Sequence, residues 1–93
     1  MPTYVMLTNL TADCVRTLKN NPGRVAEVNN EVEQIGAKVL AQYATLGQYD
    51  FVTIVEAPDD QTMAKISVEL GSRGTMASQT LTAIPAEDLA GAL

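Results

Sequence analysis

The chain has no histidine and no tryptophan, and its 93 residues contain a single cysteine. Without histidine there is no imidazole for a metal site or for a Ser–His–Asp or Cys–His catalytic arrangement. Cys14 alone cannot form a disulfide within the chain, which agrees with a reducing compartment. The sequence therefore argues against metal centres and histidine-dependent nucleophiles, and we expect neither a metal nor a cofactor.

Positive charge is also scarce. Six Lys and Arg oppose eleven Asp and Glu, which gives a formal charge of −5 that repels phosphate backbones and anionic membranes. No apolar run approaches the roughly 20 residues of a membrane span, and the first residues lack the basic and apolar segments of a signal peptide. We expect a cytoplasmic protein that binds neither nucleic acid nor membrane.

Hydrophobic residues make up 46% of the chain and charged residues 18%, with no linker, repeat or low-complexity segment. Residues 1–93 are therefore predicted to form one domain. At this length folding buries roughly 60–65% of the surface that the unfolded chain exposes, so the core is thin. Any further apolar surface then matters for assembly.

Four runs of strand-like composition alternate with helical patterns. The strands are predicted at residues 3–9, 37–46, 51–56 and 76–84, with a turn at 46–51 joining the second and third into a hairpin. The order strand, helix, strand, strand, helix, strand is the βαββαβ arrangement of ferredoxin-like α+β folds. Right-handed crossovers place both helices on one face of a four-stranded antiparallel sheet.

The ends of the predicted helices carry recognisable signals. Thr11 is placed to cap the first helix, which breaks near residues 20–23, where Asn21 is a candidate cap for its continuation. Gly36 occupies a position typical of a left-handed helix end. Asp59 and Asp60 provide a cap and a favourable charge for the second helix.

The alternation of side chains sorts the strands into two sets. The uniformly aliphatic set suits the helix-covered core and comprises Val5, Leu7, Val52, Ile54, Leu81 and Ala83. The opposite, mixed set comprises Tyr4, Met6, Thr8, Phe51, Thr53, Val55, Thr80, Thr82 and Ile84, with either Tyr43 or Leu40 and Ala44. Because this second set contains no charge, we expect a further copy of the chain to cover it. Alternatively, the C-terminal segment with Leu89 and Leu93 folds back over it.

Tyr43, Tyr49 and Asp50 form a polar cluster around the hairpin. A tyrosine hydroxyl and a carboxylate there could bind or protonate a small molecule. In a structural alternative, Asp50 bonds backbone N–H groups of its own turn and Tyr49 covers the edge of the sheet. If the sorting of faces holds, Thr8, Tyr43, Thr53 and Thr80 line a binding space between sheets.

One stretch resembles a known family. The run Leu46, Gly47, Gln48, Tyr49, Asp50 and the segment 51–60 after it are similar to the signature of the GYD domain family, and the similarity extends over essentially the whole chain. The resemblance implies a ferredoxin-like fold of the dimeric α/β-barrel type, in which sheets of two subunits pack face to face. It implies no catalytic residues, and related haem enzymes would need an axial histidine that this chain lacks.

Three functions remain open from the sequence. The first is a homo-oligomer, dimeric or higher, that binds a small organic molecule between its sheets or at the subunit edge. The second is a cofactor-free enzyme on a small organic substrate, with Tyr49 and Asp50 handling protons. The third is an assembly unit without a ligand.

Overall fold

The computed structural model describes all 93 residues and contains four strands and four helices. In chain order these are β1 (Thr3–Leu10), α1 (Ala12–Asn20), α2 (Arg24–Ile35), β2 (Lys38–Ala44), β3 (Phe51–Glu56), α3 (Asp60–Gly71), β4 (Met76–Ala83) and α4 (Ala86–Ala92). The strands form one antiparallel sheet in the order β2-β3-β1-β4. This confirms the predicted ferredoxin-like α+β fold. No helix is long and apolar enough to cross a membrane.

The helix ends follow the sequence signals with one exception. The side chain of Thr11 accepts a hydrogen bond from the Cys14 N–H at 3.4 Å, and Asp59 accepts one from the Thr62 N–H at 2.8 Å. Gly36 ends α2 with φ of 119°, a left-handed conformation that favours glycine. The expectation that Asn21 caps the continued helix is wrong, because Asn21 ends α1 and Gly23 precedes α2 without a side-chain cap.

The predicted assignment of the two sheet faces is wrong. The mixed set lies beneath the helices, where Tyr4, Met6, Thr8, Thr53 and Val55 are buried. The aliphatic set lies on the face that no helix covers, where the side chain of Leu81 is 41% exposed. The register shows that the aliphatic residues share one face, since Val5 pairs with both Ile54 and Leu81.

Hydrogen bonds explain why the mixed set can be buried. Polar side chains enter a core at little cost when each finds a partner, and here the hydroxyl of each buried residue does. Thr8 pairs with Ser78 at 3.1 Å, and Thr80 with Ser67 at 3.2 Å. The Tyr4 hydroxyl donates to Asp60 Oδ1 at 2.5 Å. The sequence pattern contains none of these pairings. Hydrophobicity alone therefore predicted that the helices would cover the aliphatic set.

The helix layer is packed unevenly. Helix α3 buries Met63, Ile66 and Leu70 against the sheet, while α2 buries only Val32. No residue of α1 is buried, and its most protected side chains, Cys14 and Leu18, are half-buried. The core therefore lies mainly between α3, α2 and the sheet, and α1 covers its end loosely.

Helix α4 does not cover the uncovered face. All of its residues are exposed: Leu89 retains 56% and the adjoining Leu93 retains 99% of its exposure. The alternative that the C-terminal segment folds back over the sheet within one chain is therefore wrong. The uncovered face of the single chain therefore carries the aliphatic set, and the mixed set that was expected to need a cover lies beneath the helices.

Candidate functional site

We define the open face as the side of the sheet opposite the helices. Two rows of paired residues cross its centre. One row runs Ala41, Ile54, Val5, Leu81, and the next runs Tyr43, Val52, Leu7, Gln79. A register shift between Val39 and Ala41 brings Leu40, at 45% exposure, to the surface beside these rows. The centre of the open face thus carries no charged side chain.

Charge appears only at one end of the open face, where Lys38 pairs with Glu56 across β2 and β3. The solvated face of an antiparallel sheet ordinarily carries polar side chains. Contiguous apolar surface of this kind marks an interaction site on soluble proteins. The open face therefore has the chemistry of a protein interface.

A second feature lies on the other side of the sheet, beneath α1 and α2. A cavity of about 70 Å³ opens to solvent there, with mainly hydrophobic walls. Cys14 and Leu18 border it from α1, and Val25 and Val28 from α2. Its floor is the covered side of the sheet, with Met6, Thr8, Phe51 and Thr53. The cavity exists because α1 packs loosely against the sheet.

A chain of hydrogen bonds crosses the cavity wall. Asn29 Nδ2 donates to Gln42 Oε1 at 2.8 Å, and Gln42 Nε2 donates to Thr53 Oγ1 at 3.1 Å. Thr53 is only 6% exposed. Its oxygen accepts from Gln42, and its own hydrogen is donated to no protein group. The chain therefore ends in a buried hydroxyl donor at the cavity.

An ion-pair cluster extends over the surface from Arg24, which lines the cavity. Arg24 contacts Glu27 at 3.0 Å and Glu31 at 3.6 Å, and Arg73 contacts Glu31 at 2.5 Å and Glu69 at 3.5 Å. The hydrogen bond from Arg73 lowers the pKa of Glu31 below its usual value and raises the pKa of Arg73. Both guanidinium groups are already paired with carboxylates, so this rim does not attract a further anion.

The hairpin loop has a structural arrangement. Asp50 Oδ2 accepts from the Leu10 N–H at 2.8 Å, and the Asp50 N–H donates to the Thr8 carbonyl at 2.8 Å. The Tyr49 hydroxyl donates to Gln79 Oε1 at 3.2 Å, across the sheet edge. Gly47 has φ of 110°, which explains the glycine in the turn. Asp50 thus ties the hairpin to the end of β1, and neither Tyr49 nor Asp50 lines the cavity.

The structure separates the six residues that the sequence singled out. Thr8 and Thr53 lie together at the cavity floor. Tyr43 lies on the opposite, open face at 62% exposure. Thr80 lines a different groove beside α3, with Tyr4 and Asp60. The six residues therefore do not form one site between sheets, and a ligand-binding role for any of them stays a prediction.

Sequence reasoning missed Asn29 and Gln42. Asn29 had a readable signal, because it lies four residues after Val25 and three before Val32, on the inward stripe of α2. A polar residue in such a stripe indicates a buried hydrogen bond. Gln42 had none, since the register shift in β2 disrupts the alternation that would have placed it.

Tyr4 and Asp60 form a further polar contact outside the cavity. Their hydrogen bond joins the start of β1 to the first turn of α3, in a groove of about 210 Å³ that Met63 and Thr82 also line. The hydrogen bond to the Asp60 carboxylate raises the pKa of Tyr4 to about 12. No group of three or more His, Cys, Asp and Glu is arranged to hold a metal ion.

Comparison with known proteins finds a relative that the chain matches over almost its whole length. Over 90 residues the chain is 51% identical to the "Glutamine synthetase and cystathionine beta-lyase binding protein" of Thermus thermophilus, covering 96% of this chain and 95% of the relative.

Two solved structures share the fold at 21% identity. They are FFRP-DM1, with a TM-score of 0.60 over 90% of this chain and all of that one, and TTHA0845 from Thermus thermophilus, with 0.59 over 91% and 95%. The GYD domain model matches residues 4–93. The chain therefore belongs to the GYD domain family.

Proposed function

We propose that this protein is a protein-binding protein whose partners are a glutamine synthetase and a cystathionine β-lyase. The observation that carries this proposal is the 51% identical relative, which is named for binding those two enzymes and matches this chain almost from end to end.

We further propose that the protein binds its partners as a homo-oligomer assembled through the open face. The rows around Ile54 and Val5 present aliphatic side chains without charge, and such a surface is self-complementary about a two-fold axis. Two sheets packed in this way bury both faces at a spacing of about 10 Å. An aliphatic face is suited to a dry, filled interface, which supports assembly over a ligand between the sheets.

Helix α4 is a second element suited to contact another copy. Its apolar residues recur at helical spacing on one side, while Glu87 and Asp88 lie on the other. The apolar residues, with the one that follows the helix, are Ala86, Leu89, Ala90 and Leu93, all exposed in the single chain. Such a stripe is stabilised when it packs on a neighbouring surface, and α4 directly follows β4 at the sheet edge.

Binding is tested with purified glutamine synthetase and cystathionine β-lyase from the same organism. Each enzyme is immobilised, and the association of this protein is followed by surface plasmon resonance, with an unrelated acidic protein of similar size as the control. We expect saturable binding to both enzymes. Binding no stronger than that of the control would contradict the proposed function.

Self-association is measured separately by light scattering coupled to size-exclusion chromatography at micromolar concentration. The expected result is a mass at least twice that of the 9.9 kDa chain. A mass of one chain would contradict assembly through the open face. It would not bear on enzyme binding, which is measured separately.

A further inference from the structure

We propose that the cavity beneath α1 and α2 binds a small, neutral organic molecule with an apolar body and one carbonyl-type oxygen that accepts a hydrogen bond from Thr53. This site lies on the opposite side of the sheet from the open face. It is therefore separate from the surface proposed for assembly.

The cavity is larger than one water molecule requires and offers water few polar partners. A single water needs about 10–15 Å³ of such volume together with two to four polar partners. The cavity has about 70 Å³, and most of its wall is Val, Leu, Met and Phe. Apolar cavities of roughly twice this size take up benzene in other proteins. The volume fits a ring or chain of a few carbon atoms, with the remainder of the molecule toward the opening.

The packing of α1 indicates that the space is a site rather than a defect. Protein interiors are close-packed, and a helix ordinarily buries its apolar stripe. Helix α1 has an apolar side, yet Cys14 and Leu18 border the cavity instead of a core. An occupant would complete the packing of these two side chains.

Thr53 determines the polar part of the ligand. A hydroxyl has one hydrogen to donate and two lone pairs, and the Thr53 oxygen already accepts from Gln42 Nε2. The donors Asn29, Gln42 and Thr53 run in one direction, so each hydrogen bond polarises the next. The hydrogen at the end of this chain is a good donor in an apolar wall. A ligand carbonyl is its natural acceptor.

The rim determines the charge of the ligand. Arg24 borders the cavity but is paired with Glu27 and Glu31. The surrounding cluster holds more carboxylates than guanidinium groups, since Glu69 and Glu31 also pair with Arg73. An anionic ligand would find Arg24, the one charged residue of the lining, already paired with two carboxylates, and a cation would find no carboxylate among the cavity-lining residues. A neutral molecule remains.

The test uses cyclopentanone and its apolar isostere methylenecyclopentane, titrated into the ¹⁵N-labelled protein and followed by NMR. We expect saturable shift changes confined to the cavity wall, with cyclopentanone the tighter ligand. Thr53→Val should weaken cyclopentanone about five-fold relative to methylenecyclopentane, because valine cannot donate to the ketone. The variant also removes the acceptor of Gln42 Nε2, but this loss is common to both titrations and leaves the ratio unchanged. Equal affinity of the two probes in the natural protein, or shifts outside the cavity, would overturn the proposal.

Filling the cavity gives the second arm. Val28→Trp, or Leu18→Trp should the first variant unfold, should abolish binding of both probes. Val68→Trp on the exposed side of α3 is the matched control and should bind both normally.

A measurement without substitutions completes the test. Cyclopentanone should slow the alkylation of Cys14 by N-ethylmaleimide in the natural protein, and an unchanged rate would contradict occupancy of the cavity.

Discussion

The face of the sheet beneath the helices carries threonines and a tyrosine, whereas the face that no helix covers carries valine, isoleucine and leucine. On the covered face, Thr8, Thr53 and Tyr4 are buried with a hydrogen-bonding partner each. On the open face, Ile54 and Leu81 have neighbours of the same kind and no polar partner. Hydrogen bonds allow polar side chains to be buried within the chain, whereas an exposed aliphatic surface is stabilised when a partner covers it.

This difference separates two roles of one sheet. The covered face supports the fold of the single chain and holds the cavity at its loosely packed end. The open face contributes little to that fold and is available for assembly. Substitutions on the two faces should therefore change different measured quantities.

The largest expected effect is on the open face. Ile54→Lys places a charge in the central row, where packing against a second copy would bury it without a partner. Burial of an unpaired charge costs several kcal/mol, so we expect association to weaken at least about 1,000-fold, or about 4 kcal/mol. Light scattering should report a single chain with unchanged circular dichroism.

The control for Ile54→Lys is Val68→Lys, which adds the same charge on the exposed side of α3. It should leave the oligomer intact. An unchanged oligomer in Ile54→Lys would show that the open face is not the interface.

A smaller effect is expected on the covered face. Gln42→Leu removes the middle of the chain between Asn29 and Thr53 and leaves both short of a partner. Loss of a buried partner costs about 1–3 kcal/mol. Urea unfolding, carried out in the Ile54→Lys background so that only single chains are compared, should show this decrease in the free energy of unfolding.

Gln79 offers the matched glutamine on the open face, where both its side chain and its hydrogen bond from Tyr49 are exposed. In the same background Gln79→Leu should change the free energy of unfolding by no more than about 0.5 kcal/mol. Equal losses in the two variants would remove the distinction between the faces.

The order of elements was predictable, because it depends on local signals. The cap at Asp59, the left-handed Gly36 and the strand at 51–56 all agree with the structure. The identity of the faces was not predictable by the same means. It depends on pairings such as Tyr4 with Asp60, 56 residues apart, which no local pattern contains.

The candidate site was predictable only in pieces. Thr8 and Thr53 were singled out for a space between two sheets, and they lie together in a cavity under the helices instead. The cavity results from the loose packing of α1, which depends on how side chains fill space rather than on their periodicity. The alternative interpretation of Asp50 as a turn residue is close to the geometry found, although its side chain bonds the backbone of β1 at Leu10.

Asp50 allows a test of how the hairpin is held to the covered face. Asp50→Ala leaves the Leu10 N–H without its acceptor, and we expect a loss of about 1–2 kcal/mol in the free energy of unfolding. Asp50→Asn retains an acceptor oxygen and should lose less than half as much. If Asn and Ala were equally destabilising, charge rather than the hydrogen bond would hold the loop.

The smallest effect is a difference in pH dependence, and it concerns Tyr4 on the covered face. Its pKa is raised from 10.0 to about 12, first by the hydrogen bond to Asp60 and then by burial. Folding therefore favours the protonated tyrosine. This contribution is fully present below pH 10 and is lost as the pH rises toward 12.

The free energy of unfolding of the natural protein should fall over this window more steeply than that of Tyr4→Phe, which has no hydroxyl to titrate. Tyr43→Phe, on the open face, leaves the contact of Tyr4 with Asp60 intact and should retain the full alkaline decrease. Parallel alkaline curves for the natural protein and Tyr4→Phe would show that the contact with Asp60 does not form in solution.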